Sequence, residues 1–233
     1  MNSKYEAETA YAKAYGGLLL ACALLTVVSV VGHPTVVARD ARSLLEGLAS
    51  QRGMIVGLHS ILIALGLLQV VGFYGFSRLL GLAHPLVAAG LILFGFGIVG
   101  MINAAALNGF AAPAFAATFE AASPAQAEMA AVALKMSWSL NQAWDGIGSM
   151  AWCGAIVAWS LAMLGRGGLL RLVGLLGIVA ALAIGGAIAA GLVRFNVGGF
   201  IATVSALAAW TIAVALLMLT GRMESPPESA GAV

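Results

Sequence analysis

The chain has 233 residues, 62% of them hydrophobic and only 9% charged, with a formal net charge of +2 and a mean hydropathy of +1.03. A water-soluble domain keeps roughly a quarter of its residues charged, so this composition excludes a water-soluble globular domain. The small net charge and the lack of any basic cluster exclude nucleic acid as a partner.

Six apolar stretches lie at approximately 14–33, 55–76, 86–107, 144–164, 171–193 and 199–220. Each is close to the ~20 residues that cross about 30 Å of hydrocarbon as a helix. The fold expected is therefore all-α: a polytopic membrane bundle of six transmembrane helices forming one domain over 1–220, with a disordered tail at 221–233. Ahead of the first stretch, Glu6 and Glu8 stand beside Lys4 and Lys13, and no small-x-small site follows it. That pattern reads as a retained span rather than a cleavable signal.

The first connection, PTVVARDARSLLEGLASQRG at 34–53, places Val37, Leu44, Leu45 and Leu48 largely on one helical face, with Arg39, Arg42 and Glu46 elsewhere. This is the pattern of an amphipathic helix in the headgroup layer. The second span opens with Gly53 and Gly57 at GxxxG spacing, a small face that favours close helix packing. The connection at 109–137 is rich in Ala and Phe, and Pro113 and Glu120 argue against a span there. Within it, Ser123-Pro124-Ala125-Gln126 is a helix start, with serine as cap, proline in the first turn and Gln126 completing a capping box. This start gives the second extracytoplasmic amphipathic segment. A helix from Pro124 to Leu164 would measure about 60 Å at 1.5 Å per residue, so only part of it can be buried in lipid. The fifth span carries Gly177, Ala181, Gly185 and Ala189 on one stripe, a packing face within the chain or between copies. Cys22 and Cys153 lie inside spans with no CxxC partner, as buried apolar thiols do.

Basic residues orient the bundle. With the N-terminus inside, Lys4, Lys13, Arg78, Arg166, Arg171 and Arg222 are cytoplasmic, and Arg39, Arg42, Arg52, Lys135 and Arg194 lie outside. The margin is narrow, but the tight connections holding Arg78, Arg166 and Arg171 favour a cytoplasmic N-terminus. The expected location is the bacterial inner membrane, as a multi-pass protein.

The segment WSLNQAWDGIGSMAWCG, 138–154, brings Asn141, Gln142 and Asp145 among tryptophans. Counting back about 20 residues from Arg166 puts Asp145 near the outer boundary. The same ruler places His33, His59, Asn103, Asn108, Asn141, Arg194 and Asn196 in one thin outer layer. Helix ends meet water, and Asp145 ahead of Gly146 could serve as a helix cap. At 100° per residue, however, Trp138, Asn141, Asp145, Gly148, Trp152, Ile156 and Trp159 share one face. A carboxylate on such a face belongs in the bundle or a wet cavity, because lipid exposure is costly. A polar mouth above an aromatic floor has the form of an amphipathic small-molecule pocket.

Other chemistry is less well represented. His59 and Asp145 could form an acid–base pair, but no GxSxG and no catalytic-cysteine context accompany them. No catalytic residue is assigned, and an enzyme is the less favoured class. No HxxxH or HExxH pair joins His33, His59 and His84, so haem or metal held by His33 and His59 is disfavoured and no cofactor is expected. The run His84-Pro85-Leu86 resembles part of the nickel-permease signature but lacks the Asp-His that follows it, which excludes that family. Mid-span polar groups are few, with Thr26, Ser29 and Gln69 the main ones, and no inverted repeat is visible, as a secondary transporter would show.

The run ARDARSLLEGLASQRGMIVGLHSILIAL, 38–65, together with length and span order, resembles a group of uncharacterised small bacterial six-span membrane proteins. They have a first span, an extracytoplasmic helical segment and then several further spans. The resemblance implies the layout and no activity. The function expected is binding of a small amphipathic or lipid-like ligand in a pocket open to the extracytoplasmic side, with His59, Asn103, Asn141, Asp145, Trp138, Trp152 and Arg194 as ligand-binding residues. The alternative is an accessory or scaffold subunit, docking a homo-oligomer or membrane partner. A transporter or proton-linked protein comes third.

Overall fold

The first four apolar runs extend into helical units longer than the spans read from the sequence, whereas the fifth helix ends at Ala189, short of residue 193. The computed structural model describes residues 2–223, and among them every regular element is helical. These are α1 (Asn2–Val31), α2 (Ala41–Ser50), α3 (Arg52–Leu80), α4 (Pro85–Ala105), α5 (Ala112–Ala117), α6 (Pro124–Leu164), α7 (Gly168–Ala189) and α8 (Val197–Leu219). Six helical units are long and apolar enough to cross a membrane, with α4 and α5 counting as one from Pro85 to Ala117. The chain is an all-α polytopic bundle, an integral membrane protein.

The spanning helices form a closed ring in which α1 packs on α3, α3 on α4, α4 on α6, α6 on α7, α7 on α8, and α8 returns to α1. Glycine sets the closest crossing. A Cβ on Gly100 of α4 would stand 2.8 Å from the Gly148 Cα of α6, well inside the ~3.5 Å at which carbons pack. The interior is an aromatic plug. Phe73 lies 4.7 Å from Trp159, and Trp159 lies 6.1 Å from Trp210 at an interplanar angle of 12°, while Phe76 and Phe94 meet Trp159 from the sides. The Trp159 indole Nε1 donates to Ser77 Oγ at 3.0 Å, satisfying a buried donor that lipid and core could not. Outward-facing leucines and valines of α7, such as Leu172, Leu176, Val179 and Leu182, are exposed, as a lipid-facing surface requires.

At the end of the ring opposite the N-terminus, α2, α5 and the first turns of α6 make a small cap. Leu45, Ala112, Ala116, Ala127, Ala130 and Leu134 are its buried cluster. Asp40 starts α2, where its carboxylate accepts from the Ser43 backbone N–H at 2.7 Å. That bond holds the Asp40 carboxyl below the usual carboxylate range. Ser123 and Gln126 form the expected capping box of α6, with Pro124 in its first turn. From there α6 runs unbroken for 41 residues to Leu164.

The third spanning unit runs past the expected end at residue 107 and through Pro113 to Ala117. Residues Ala106–Ala111 form a π-helical stretch between α4 and α5, in which the Ala112 N–H donates to Leu107 O. The wider turn shifts the hydrogen-bond pattern just before the residue that lacks an N–H, and Pro113 falls in the first turn of α5, where proline is tolerated. At the other terminus, Gly221–Met223 forms a turn and Met223 is buried in the core. The rest of the expected tail, 224–233, lies outside the described residues.

Gly177, Ala181 and Gly185 of the α7 stripe are buried within the chain, while Ala189 is exposed. Gly177 faces Ser160 and Trp210, and Gly185 faces Cys153 and Met150. Gly53 and Gly57 face open space.

Candidate functional site

Directly above the aromatic plug, on the cap side, the ring encloses a partly open cavity of about 130 Å³. Five of the six spanning units line it, with α7 contributing no lining residue. Thr26 and Val30 come from α1, His59, Gly66 and Gln69 from α3, and Ile98, Met101 and Ala105 from α4. The π-helical stretch supplies Asn108, α6 supplies Asn141, Asp145 and Trp152, and α8 supplies Phe200 and Val204. His33, Phe195 and Asn196 complete the lining from the connections. Ten residues of α3 separate His59 from Gln69, so the lining descends roughly 15 Å at 1.5 Å per residue. Polar groups mark both ends, with apolar walls between.

Each polar group is held by an identifiable neighbour. On α6, Asn141 Nδ2 donates to Asp145 Oδ2 at 2.8 Å, across one helical turn. Asn141 and Asp145 are 4% and 8% exposed, so neither is a solvated helix end, and Asp145 lies mid-helix rather than at a cap. Among the described residues, Asp145 has no salt-bridge partner. His59 Nδ1 lies 2.8 Å from the Ile55 carbonyl and His33 Nδ1 2.8 Å from the Pro34 carbonyl. A carbonyl only accepts, so Nδ1 carries hydrogen in both rings, and each neutral imidazole keeps an acceptor lone pair at Nε2. The two rings meet edge to face with centroids 5.1 Å apart. At the floor, Gln69 Nε2 donates to Thr26 Oγ1 at 3.1 Å. Trp152 lines the wall, its Nε1 without a hydrogen-bond partner.

The connection between α7 and α8 is fixed in place from α6. Gln142 Nε2 donates to Phe195 O at 2.7 Å, and the Phe195 N–H donates to Gln142 Oε1 at 2.8 Å. This two-bond clamp seats the buried Phe195 ring at the cavity. On the facing side, a Cβ on Gly109 would overlap the His59 ring, so the π-helical stretch brings bare backbone against the imidazole.

Of the ligand-binding residues read from the sequence, His59, Asn141, Asp145 and Trp152 meet at this cavity. Asn103 does not line it, and its Nδ2 donates to the Val99 carbonyl of its own helix at 2.8 Å. Trp138 lies above the ring and is 50% exposed. Arg194 is exposed and borders a separate shallow groove between α7 and α8. His59 and Asp145 share no hydrogen bond, each being bonded within its own helix. Gln69, Thr26, Phe195 and Phe200 belong to the lining without having been read as ligand-binding residues. For Gln69 and Thr26, mid-span polarity was the available signal; the phenylalanines gave none. Among the described residues no group of three or more His, Cys, Asp or Glu side chains is placed to hold a metal ion. Comparison with family models, curated proteins and solved structures finds no match to this chain.

Proposed function

We propose that this integral membrane protein binds a small amphipathic molecule in the cavity beneath the α2–α5 cap. The observation that carries the reading is the convergence of five spanning units on one cavity, with Asn141–Asp145, His33 and His59 grouped above apolar walls. Buried polar groups are costly unless they are partnered, and a tightly closed bundle would have no reason to gather them around open space. The volume of about 130 Å³ sets the scale. An apolar cavity of about 150 Å³ takes benzene, whereas drug-sized ligands need ~300 Å³ or more. The ligand is therefore a small molecule or a single short chain, not a whole lipid.

The cap side is assigned to the extracytoplasmic face of a bacterial inner membrane, with the N-terminus cytoplasmic. Arg78, Arg166 and Arg171 support this through their short connections. Two of them also have a local role, since Arg166 Nη2 donates to Leu80 O at 2.7 Å and Arg171 Nε to Leu164 O, joining helix C-termini as basic groups favourably do.

The accessory-subunit reading keeps the open Gly53–Gly57 face as a docking surface, while Gly177 and Gly185 of the α7 stripe pack inside the chain. A transport reading would use the same cavity as its entrance, but Phe73, Trp159 and Trp210 fill the path below it.

Val204→Phe tests the binding reading by placing a ring in the cavity from α8. Mass spectrometry of gently purified protein should find a small amphipathic molecule retained by the wild type and lost from the variant. Equal ligand content in the two proteins, or none in the wild type, would overturn the reading.

A further inference from the structure

We infer that the molecule taken by this cavity is a small organic cation, a protonated amine with a short apolar chain, rather than an anionic or neutral amphiphile. The inference rests on the binding reading above and adds the sign and shape of the ligand.

The sign follows from which side chains reach the cavity. Asp145 is the one lining residue able to carry a negative charge, and among the described residues no lysine or arginine lines it. Arg194, the cation that depth alone would have brought here, borders the groove between α7 and α8 instead. A carboxyl removed from water either takes up a proton or keeps its charge through a counter-charge. Asp145 has only the neutral amide of Asn141, so a cation is the partner that lets it ionise here. The two histidines do not supply a cation in their neutral form. Their Nδ1 hydrogens are committed to backbone carbonyls, which turns the free Nε2 of each into an acceptor. The donors that remain, among them the Thr26 hydroxyl, the Gln69, Asn108, Asn141 and Asn196 amides and the Trp152 indole, are all neutral. An anionic headgroup would meet a carboxylate and two lone pairs here. An ammonium would meet the counter-charge and acceptors it requires, with the Trp152 ring available for a cation–π contact.

The shape follows from volume and depth. About 130 Å³ distributed over roughly 15 Å of helix is narrow, and suits an extended alkyl chain better than a fused ring system. Inorganic cations share the charge but not the shape, since Ile98, Ile102, Phe200 and Val204 form an apolar wall that a hydrated or oxygen-coordinated ion has no use for.

The test compares n-butylammonium, n-butanol and butyrate, matched in length, by titration calorimetry against the protein in nanodiscs, with empty nanodiscs as the reference. Butylammonium should bind at least tenfold more tightly than butanol, butyrate should bind most weakly, and Asp145→Asn should remove the advantage of the amine while leaving butanol unchanged. If Asp145→Asn does not fold, His59→Phe replaces it and should weaken butylammonium selectively. Butanol binding as tightly as butylammonium, or an amine advantage that survives both substitutions, overturns the cation while leaving the cavity a binding site. Displacement of butylammonium by an equal concentration of sodium assigns the site to an inorganic ion and also overturns it. Failure of all three probes to bind the wild type overturns the binding reading itself, and the amine with it.

Discussion

At the scale of single residues, height along the bundle could be read from the sequence and direction around the helix only partly so. A ruler counted from the inner ends of the spans puts Asn103, Asn141, Asp145 and Arg194 at one height. It cannot say which of them face the same space, and the structure separates them. Asn141 and Asp145 turn inward because the α6 face that carries them also carries Trp152 and Trp159. Asn103 instead satisfies its amide on its own backbone, an option open to any asparagine in a helix. Gln142 lies next to Asn141 and off the buried stripe, yet it makes the two bonds that seat Phe195. No local pattern announces a side-chain amide paired with a backbone 53 residues away. Gln142→Leu should leave two backbone groups unpaired and cost about 1–3 kcal/mol, read as a lower midpoint in a detergent unfolding titration. Gln142→Glu keeps one acceptor for the Phe195 N–H and should retain part of that loss.

At the scale of elements, what was encoded locally could be read and what depended on a compensating distortion could not. The capping box of α6 lies within four residues, and its start follows from Ser123, Pro124 and Gln126 alone; the equally local box of Asp40 and Ser43 that starts α2 was not read. Pro113 argued against further spanning helix in the 109–137 connection because proline breaks a regular helix. The helix continues since the π-helical stretch from Ala106 absorbs the break, and within that stretch Gly109 comes close against His59 of α3. Helical π-turns recur at functional sites, and this one presents Asn108 to the cavity. Gly109→Ala should push the His59 ring aside. The expected cost is about 1–3 kcal/mol from overpacking, and the His33–His59 edge-to-face contact should be lost, visible as a shifted imidazole signal in a histidine-labelled NMR spectrum. An unchanged His59 signal would show that the backbone gives way instead.

At the scale of the whole molecule, composition settled the class because a chain with 9% charge has no way to wet its surface. The order of the ring was not legible, since nothing in the run of each apolar span says that α8 returns to α1 or that α7 stands outside the cavity. Ring closure centres on the plug, where Trp159 of α6 and Trp210 of α8 stack around Phe73 of α3. Trp159→Ala removes the stacking partner of both and the donor to Ser77. A loss of about 3–5 kcal/mol is expected for a fully buried tryptophan, measured as unfolding in mixed micelles.

The unbroken length of α6 makes it a mechanical lever. Its fulcrum is Trp159, clasped in the plug, and its far end at Pro124 belongs to the cap, an arm of about 52 Å at 1.5 Å per residue. Over an arm of that length each degree of tilt moves the cap end by roughly 0.9 Å, with the cavity between the two ends. Stiffness at the fulcrum thus governs how far the roof of the cavity can swing. In the Trp159→Ala protein, amide exchange in α2 and α5 should quicken although neither helix touches the substituted residue.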